Sequence, residues 1–289
     1  MHGLLISDKK ELSDKDKIEE NMAFESASAL LADVMRLKQE KIFTEEALLK
    51  SMELLKLNPE LGLAWNYRRE AILVKSREMK FDLKKELKLL NTVMLDRQMT
   101  KSYCLWNHRR WILKLQVVSV QELQGEQELI ETILNLDGRN FHAWSYKQWL
   151  SENFSSVRFD DLKLSQTLIE RDFSNYSAWF LRRSCWDSIN KEKELELVWN
   201  GIFTEPTDQS CWQYHDWLLE KFPDLQKHDD QYMRELENVI DEKDSKYVLL
   251  NRLEKSKASA IQADRKRIVE ILSRIDPMRK TLYLELIEP

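Results

Sequence analysis

Lys101-Ser102-Tyr103-Cys104-Leu105-Trp106-Asn107-His108-Arg109-Arg110-Trp111 is the fullest copy of a pattern that this chain writes five times. Its core, WNHRR from Trp106, is matched by WNYRR from Trp65, WSYKQ from Trp144, WFLRR from Trp179 and WQYHD from Trp212. The cores are spaced by 41, 38, 35 and 33 residues. A drifting period of this size is the signature of a repeat architecture, in which each supersecondary unit buries its apolar face against the next.

Reading outward from each tryptophan gives a common grammar. Four residues before it stand Ser102, Asn140, Asn175 and Asp208 in four copies, all side chains that cap helix N-termini through oxygen. The first copy lacks one there, and Asn58 ahead of Pro59 is expected to end one helix and start the next, since proline suits the first helical position. Three residues after each tryptophan the side chain can carry positive charge: Arg68, Arg109, Lys147, Arg182 and His215. A cation held in a helical stack needs a carboxylate or carbonyl from a neighbouring helix. The five tryptophans are read as packing between hairpins, because a large ring at each junction removes much apolar area from water.

Between the tryptophan helices lie leucine stripes at helical spacing: Leu87, Leu90, Met94; Leu129, Ile133, Leu136; Leu162, Leu168; and Leu195, Val198, Ile202. Upstream, Thr44 followed by Glu45 and Glu46 starts a helix that buries Leu48, Met52 and Leu55. Asp14 to Glu40 reads as an opening helix and residues 1–12 as a flexible arm. After Pro223 the pattern weakens through Ser256, a last helix is expected from about Ser259 to Arg274, and Tyr283 to Leu286 closes the chain. Residues 13–289 are thus expected to form one helical-repeat domain, with its five repeats at about 58–220 and capping helices behind them.

Composition supports an all-α chain. Ten tryptophans and 43% hydrophobic residues allow a core, while five glycines and five prolines in 289 residues leave few breaks. A net charge of −5 supplies no broad basic field, so a nucleic-acid partner is not expected and any anion site must be local. Cys104, Cys185 and Cys211 form no CxxC, which points to free thiols in a reducing compartment. No long apolar segment predicts a membrane span, and a cytoplasmic protein is expected.

No nucleophile elbow, phosphate-binding loop, HExxH pair or dinucleotide fingerprint is present, so this chain by itself is not expected to be an enzyme. One position departs from structural duty. Lys101 lies immediately before the Ser102 cap, where a cation next to free backbone N–H groups and the positive end of the helix dipole gains nothing for the fold. That arrangement suits a phosphate or diphosphate, against the plain alternative of an exposed lysine in a turn. Tyr103 and His142 occupy comparable helix-start positions, so they and Lys101 are expected to face one ligand.

The five WxxRR-type cores, with their NFHAW and NYSAW starts, resemble the repeats of protein prenyltransferase α subunits over residues 45 to 220. Met1-His2-Gly3, DFSNYSAW at 172–179, FTEPTDQSCW at 203–212 and DPMRKTLYLEL near the end are similar to the Rab-directed, type II geranylgeranyltransferase branch of that family. The resemblance implies a right-handed α-α superhelix, a crescent of helical hairpins, wrapped around a β subunit in an obligate heterodimer. It implies that the partner holds the zinc and most of the isoprenoid pocket, and that geranylgeranyl diphosphate donates the prenyl group to C-terminal cysteines of a Rab GTPase presented by an escort protein. Lys101 matches the family lysine that stabilises the diphosphate leaving group, and Tyr103 and His142 match residues facing the substrate cleft.

Where CaaX-directed relatives carry a glutamine that reads the substrate's terminal carboxylate, this chain has Cys104, and a thiol cannot replace the amide donors. Some family members add a globular insert and a leucine-rich-repeat tail, and neither is expected here. His2 on its arm could reach the partner's zinc as an autoinhibitory ligand, or belong to a plain disordered tail. Two further readings stay open: a non-enzymatic helical scaffold for protein partners, and the α subunit shared by the CaaX enzymes.

Overall fold

A computed structural model of the chain describes residues 14–77, 82–115, 118–241, 244–255 and 262–285, so the residue 1–12 arm and His2 lie outside the described residues. Every described proline falls outside an α-helix, and among the described residues there are fifteen α-helices and no strand. The chain divides into two compact units, residues 1–158 and 159–289.

The first unit holds α1 (Asp14–Gln39), α2 (Glu45–Leu57), α3 (Gly62–Arg77), α4 (Leu83–Val93), α5 (Tyr103–Leu115), α6 (Val120–Leu136) and α7 (Phe141–Asn153). The tryptophan helices are α3, α5 and α7, each following a leucine helix. Thr44 caps α2 by accepting from the Ala47 N–H, and Leu48, Met52 and Leu55 are buried beneath it. Pro59 is not the first residue of a helix. α2 ends at Leu57 and α3 begins only at Gly62, while Asn58 accepts from the Glu60 N–H in a short turn. Its side chain closes that turn and therefore cannot reach the α3 N-terminus. Leu136 also departs from expectation: it lies at the last position of α6 and is exposed, while Ile130 and Leu134 turn into the core.

Two stitches repeat through this unit. First, each tryptophan donates its indole N–H to the carbonyl six residues earlier: Trp65 to Pro59 at 2.8 Å, Trp106 to Thr100 at 2.8 Å and Trp144 to Gly138 at 2.9 Å. The next copy's capping residue then donates to the same carbonyl, Ser102 Oγ to Pro59 at 2.9 Å and Asn140 Nδ2 to Thr100 at 3.2 Å. Second, a buried glutamate from the leucine helix is clamped from both sides. Arg68 forks onto Glu86 at 2.6 Å through both Nε and Nη2, and His108 meets Glu86 from the following helix at 2.9 Å. Arg109 forks onto Glu126 at 2.7 and 2.5 Å, with the Tyr146 hydroxyl donating to Glu126 at 2.7 Å. A charge that leaves water needs such partners, and the planar guanidinium matches a carboxylate in two bonds at once. The rings stack across the same junctions, Trp65 on His108 at 4.7 Å and Trp106 on Tyr146 at 4.9 Å.

The second unit holds α8 (Asp161–Arg171), α9 (Tyr176–Arg183), α10 (Lys191–Thr204), α11 (Gln209–Lys221), α12 (Gln226–Val239), α13 (Lys246–Lys255), α14 (Gln262–Ile275) and α15 (Lys280–Glu285). The same rules recur. Trp179 and Trp212 donate to the Phe173 and Pro206 carbonyls, and Arg182 and the Tyr214 hydroxyl converge on Glu194. His215 replaces arginine in the last copy and meets Asp229 at 2.6 Å. Gly201 on α10 is required by close approach, since a Cβ there would stand 2.6 Å from Cys211 Sγ and 2.9 Å from the Phe173 ring.

The stretch from Lys227 to Ser256, where the sequence pattern fades, carries α12 and α13 and hides a sixth copy. Ser245 Oγ donates to the Pro206 carbonyl at 2.6 Å, fully buried Leu249 takes the tryptophan position, and Arg252 three residues later bonds Glu237 at 2.6 Å. The closing hairpin is described from Gln262, the expected start at Ser259 lying outside the described residues, and Tyr283, Leu272 and Val269 seat it against Leu249 and Leu253.

Candidate functional site

The four residues singled out for chemistry lie in the first unit, and local hydrogen bonding explains why they meet. Lys101 ends a 3-10 turn, Met99–Lys101, and its side chain is exposed. Ser102 closes that turn through its N–H to the Met99 carbonyl, and its hydroxyl accepts from the Leu105 N–H at 3.1 Å to cap α5. The same hydroxyl donates to the Pro59 carbonyl, so the turn is fixed to the preceding copy. The first-turn N–H groups of Tyr103 and Cys104 have no partner within the helix by its geometry, and Lys101 stands at their edge.

Asn140 supplies the second fixture. Its Oδ1 accepts from the Ala143 N–H at 3.0 Å and caps α7, while its Nδ2 reaches the Thr100 carbonyl next to Lys101. One side chain thus registers the start of α7 on the Lys101 turn. His142, two residues along, comes to lie with its ring 6.4 Å from that of Tyr103, which is 61% exposed. Tyr103 and His142 are therefore neighbours at the starts of α5 and α7, beside the turn that carries exposed Lys101.

Cys104 sits one residue further in, half-buried, with Sγ 3.8 Å from the Glu60 carbonyl oxygen. Burial, with Glu60 beside it, pushes its thiol above the ordinary range and outweighs Arg69, so it is a neutral thiol at physiological pH. It offers neither a nucleophile nor a carboxylate-reading donor pair.

Two residues outside the sequence-derived set also belong to this surface. Phe141, the first residue of α7, is 75% exposed and stands edge-on to His142 at 5.7 Å. Arg69 lies over Trp111 at 5.7 Å, and burial lowers its pKa while Cys104 and Tyr103 act in the opposite sense. The available signal for Arg69 was its place four residues after Trp65. The same offset puts Arg110 over Trp149 at 5.8 Å and Arg183 over Trp217 at 5.2 Å, a cation-on-indole series that the WxxRR spelling contains.

The repeat-core residues are placed elsewhere. Trp65, Trp106, Trp179 and Trp212 are at most 2% exposed, and Trp144 is half-buried. Arg68, Arg109 and Arg182 are occupied by Glu86, Glu126 and Glu194. Burial alone would raise the Glu86 pKa, but His108 and Arg68 outweigh it and hold Glu86 at about 2. Among the described residues no group of three or more His, Cys, Asp or Glu could hold a metal ion, and no helix is long and apolar enough to cross a membrane.

Comparison with known proteins places this geometry. The family described as protein prenyltransferase alpha subunit repeat matches residues 83–116, 123–154, 159–189 and 191–222. A Saccharomyces cerevisiae protein named geranylgeranyl transferase type-2 subunit alpha is 28% identical over 326 residues, covering 100% of this chain and 99% of its own. The Bos taurus and Homo sapiens proteins of the same name are 32% and 31% identical over 240 residues, covering 76% of this chain. This chain spans 42% of the length of those two mammalian relatives. Among solved structures, Candida albicans protein geranylgeranyltransferase-I complexed with GGPP has a chain that superposes with a TM-score of 0.67 at 20% identity, covering 99% of this chain and 94% of that one. That likeness is one of fold.

Proposed function

We propose that this chain, which belongs to the protein prenyltransferase α-subunit family, is the α subunit of a type-2 geranylgeranyltransferase, active as a heterodimer with a β subunit. The complex transfers geranylgeranyl from geranylgeranyl diphosphate to C-terminal cysteines of Rab GTPases presented by an escort protein, in the cytoplasm. The observation that carries the reading at this chain's own surface is the approach of Tyr103 to His142 beside the Lys101 turn, registered by the Asn140 bond to Thr100.

In this reading Lys101 is the catalytic residue of the chain. As the bond between the prenyl carbon and diphosphate breaks, negative charge grows on the leaving group, and a lysine already held at a helix start stabilises it without reorganisation. Tyr103 and His142 line the cleft beside it. The metal that would lower the acceptor thiol's pKa is assigned to the β subunit, as the family resemblance implies, with His2 as an autoinhibitory ligand to it. Cys104, neutral and short of amide donors, leaves a free CaaX carboxylate without a reader, which agrees with a substrate delivered by an escort protein.

The test is co-expression and purification with candidate β subunits, followed by metal analysis and a prenyl-transfer assay on a Rab–escort complex. A zinc-containing heterodimer with escort-dependent transfer is expected. A chain that copurifies with no such partner and supports no transfer is a scaffold. Efficient prenylation of a free CaaX peptide without escort protein would assign it to the CaaX enzymes instead.

A further inference from the structure

Two residues after its tryptophan, the copy that begins at Lys101 has His108 where three other copies have Tyr67, Tyr146 and Tyr214. Tyr146 and Tyr214 close the glutamate clamps of their copies, donating to Glu126 at 2.7 Å and to Glu194 at 2.8 Å. A phenol does this with one O–H and brings no other polar atom into the core. His108 does it through Nε2, 2.9 Å from Glu86 Oε1, and its second nitrogen, Nδ1, is buried with no hydrogen-bond partner among the described residues. The ring is 0% exposed and is sandwiched by Trp65 at 4.7 Å and Trp111 at 5.4 Å.

The carboxylate fixes where the imidazole proton sits. Glu86 takes both arms of Arg68 at 2.6 Å each, while Arg68 Nη1 is held by the Leu48 carbonyl at 2.6 Å and by Ser51 Oγ at 3.1 Å. Glu86 is ionised, so Nε2–H donates to it and Nδ1 is the bare nitrogen. A second proton must go to Nδ1, where no acceptor stands. The charges facing the ring do not compensate for it, because Glu86 on α4 is already matched by Arg68 on α3 and Arg69 on α3 adds another cation. Burial is the largest influence on His108 and, with the two arginines, outweighs the pull of Glu86, so its pKa lies below the ordinary histidine value. An orphaned nitrogen and a disfavoured charge are costs that tyrosine avoids. What the imidazole adds is a proton site within reach of neutral pH.

We propose that the joint between His108 and Glu86 is an acid-sensitive latch: with Nδ1 bare it ties α5 to α4 and α3, and a proton on Nδ1 opens it and loosens the α4–α5 hairpin. The turn that carries Lys101 connects these two helices, so acid loosens the candidate site, while the joints built on Tyr146 and Tyr214 stay closed. A folded pKa below the open-state value of about 6.5 makes the closed joint fully stable above that pH and progressively weaker beneath it. Glu86, held at about 2, stays charged across this range, and the raised pKa of His215 keeps its stabilisation intact there. The latch does not depend on the proposed reaction.

The experiment follows amide hydrogen exchange by mass spectrometry on the full chain as purified, with any subunit that accompanies it, between about pH 7 and pH 5 and corrected for the intrinsic rate at each pH. Protection across α4 and α5 should fall by up to about tenfold per pH unit below about 6.5, while α6 and α7 keep theirs. His108→Tyr supplies the phenol of the other copies and should flatten that slope. His108→Gln keeps an N–H for Glu86 without a titrating nitrogen and should flatten it as well. Should neither variant fold, the nitrogen resonances of His108 in the parent decide alone: Nδ1 should be unprotonated at neutral pH and titrate below the ordinary histidine value. Flat protection in the parent, an unchanged slope in a folded variant, or an Nδ1 protonated at neutral pH overturns the proposal.

Discussion

Asn140 Nδ2 donates to the carbonyl of Thr100 at 3.2 Å while Asn140 Oδ1 caps α7, so one side chain both starts a helix and holds it against the turn that presents Lys101. The two roles are separable by substitution. Asn140→Asp keeps the acceptor that caps the helix and loses the donor to Thr100. A carboxylate oxygen would then face the Thr100 carbonyl in a buried site, so this variant should lose stability as well as lower the turnover of the reconstituted heterodimer. Asn140→Ala loses both and should also lose about 1 kcal/mol of stability in chemical denaturation. Equal turnover in parent and Asn140→Asp would detach this bond from the site.

Lys101→Ala should reduce turnover by about one to three orders of magnitude, the range for removing one preorganised charge-stabilising group. Its side chain is exposed and bonds nothing in the fold, so heterodimer assembly and melting should be unchanged. Single-turnover kinetics on the purified complex measures this, and a parent-like rate would remove Lys101 from the mechanism.

Arg109 and Glu126 are each at most 3% exposed and are forked together, with Tyr146 and Asn91 completing the cluster. Removing one partner strands the other charge in the core. Arg109→Met should therefore cost about 3–5 kcal/mol, whereas Arg109→Met with Glu126→Leu should recover much of the loss. Urea unfolding of the four species of that cycle gives the coupling directly, and an additive cycle would mean the two side chains do not act as a pair.

His215 is the one histidine among the repeat cations, and neighbouring carboxylates govern its protonation. Its Nε2 meets Asp229 on α12 at 2.6 Å, its Nδ1 meets exposed Asp216 on its own helix at 3.2 Å, and Trp199 on α10 donates to the same Asp229 oxygen. Burial disfavours the imidazolium, but the two carboxylates outweigh burial and raise its pKa above the ordinary value. A raised folded pKa means that the stabilisation is fully present below about pH 6.5, the unfolded value, and is lost as pH rises through the folded one. Denaturation midpoints should fall as pH rises through that window, and Asp216→Asn, a change at an exposed site, should shrink the slope. A slope identical in parent and variant would contradict this assignment.

Gly201→Ala should destabilise by about 1–3 kcal/mol, because the added methyl meets Cys211 Sγ at 2.6 Å and the Phe173 ring at 2.9 Å in a packed core. Cys211→Ala in the same chain should recover part of that loss. Thermal melts of both decide it, and a neutral Gly201→Ala would show that the α10–α11 contact yields freely.

Much of the repeat was legible because its signals are local. The caps at Ser102, Asn140, Asn175 and Asp208 act within four residues, and the leucine stripes depend only on helical periodicity. Asn58 marks the limit of such local signals: its spacing from Pro59 fits a helix start, but the chain uses its side chain to close a turn two residues on. The sixth copy is not legible in the sequence because Leu249 replaces the tryptophan, and what identifies it is the Ser245 bond to Pro206, 39 residues away in sequence. Arg69 and Phe141 joined the candidate site only through neighbours on other helices.

The sequence by itself determined the helices, their order, the hairpin repeat and the identity of the conspicuous tryptophan and arginine positions, since propensity, capping and periodicity are properties of short stretches. Only the tertiary structure decided what those residues do. It assigned Arg68, Arg109 and Arg182 each to a particular buried glutamate, turned the −6 carbonyls into shared acceptors between copies, and brought His142 to Tyr103 beside the Lys101 turn. The physical reason is that a buried charge or carbonyl is satisfied by whichever group packing delivers to it. That partner lies 12 to 43 residues away in the chain, beyond the reach of any local pattern.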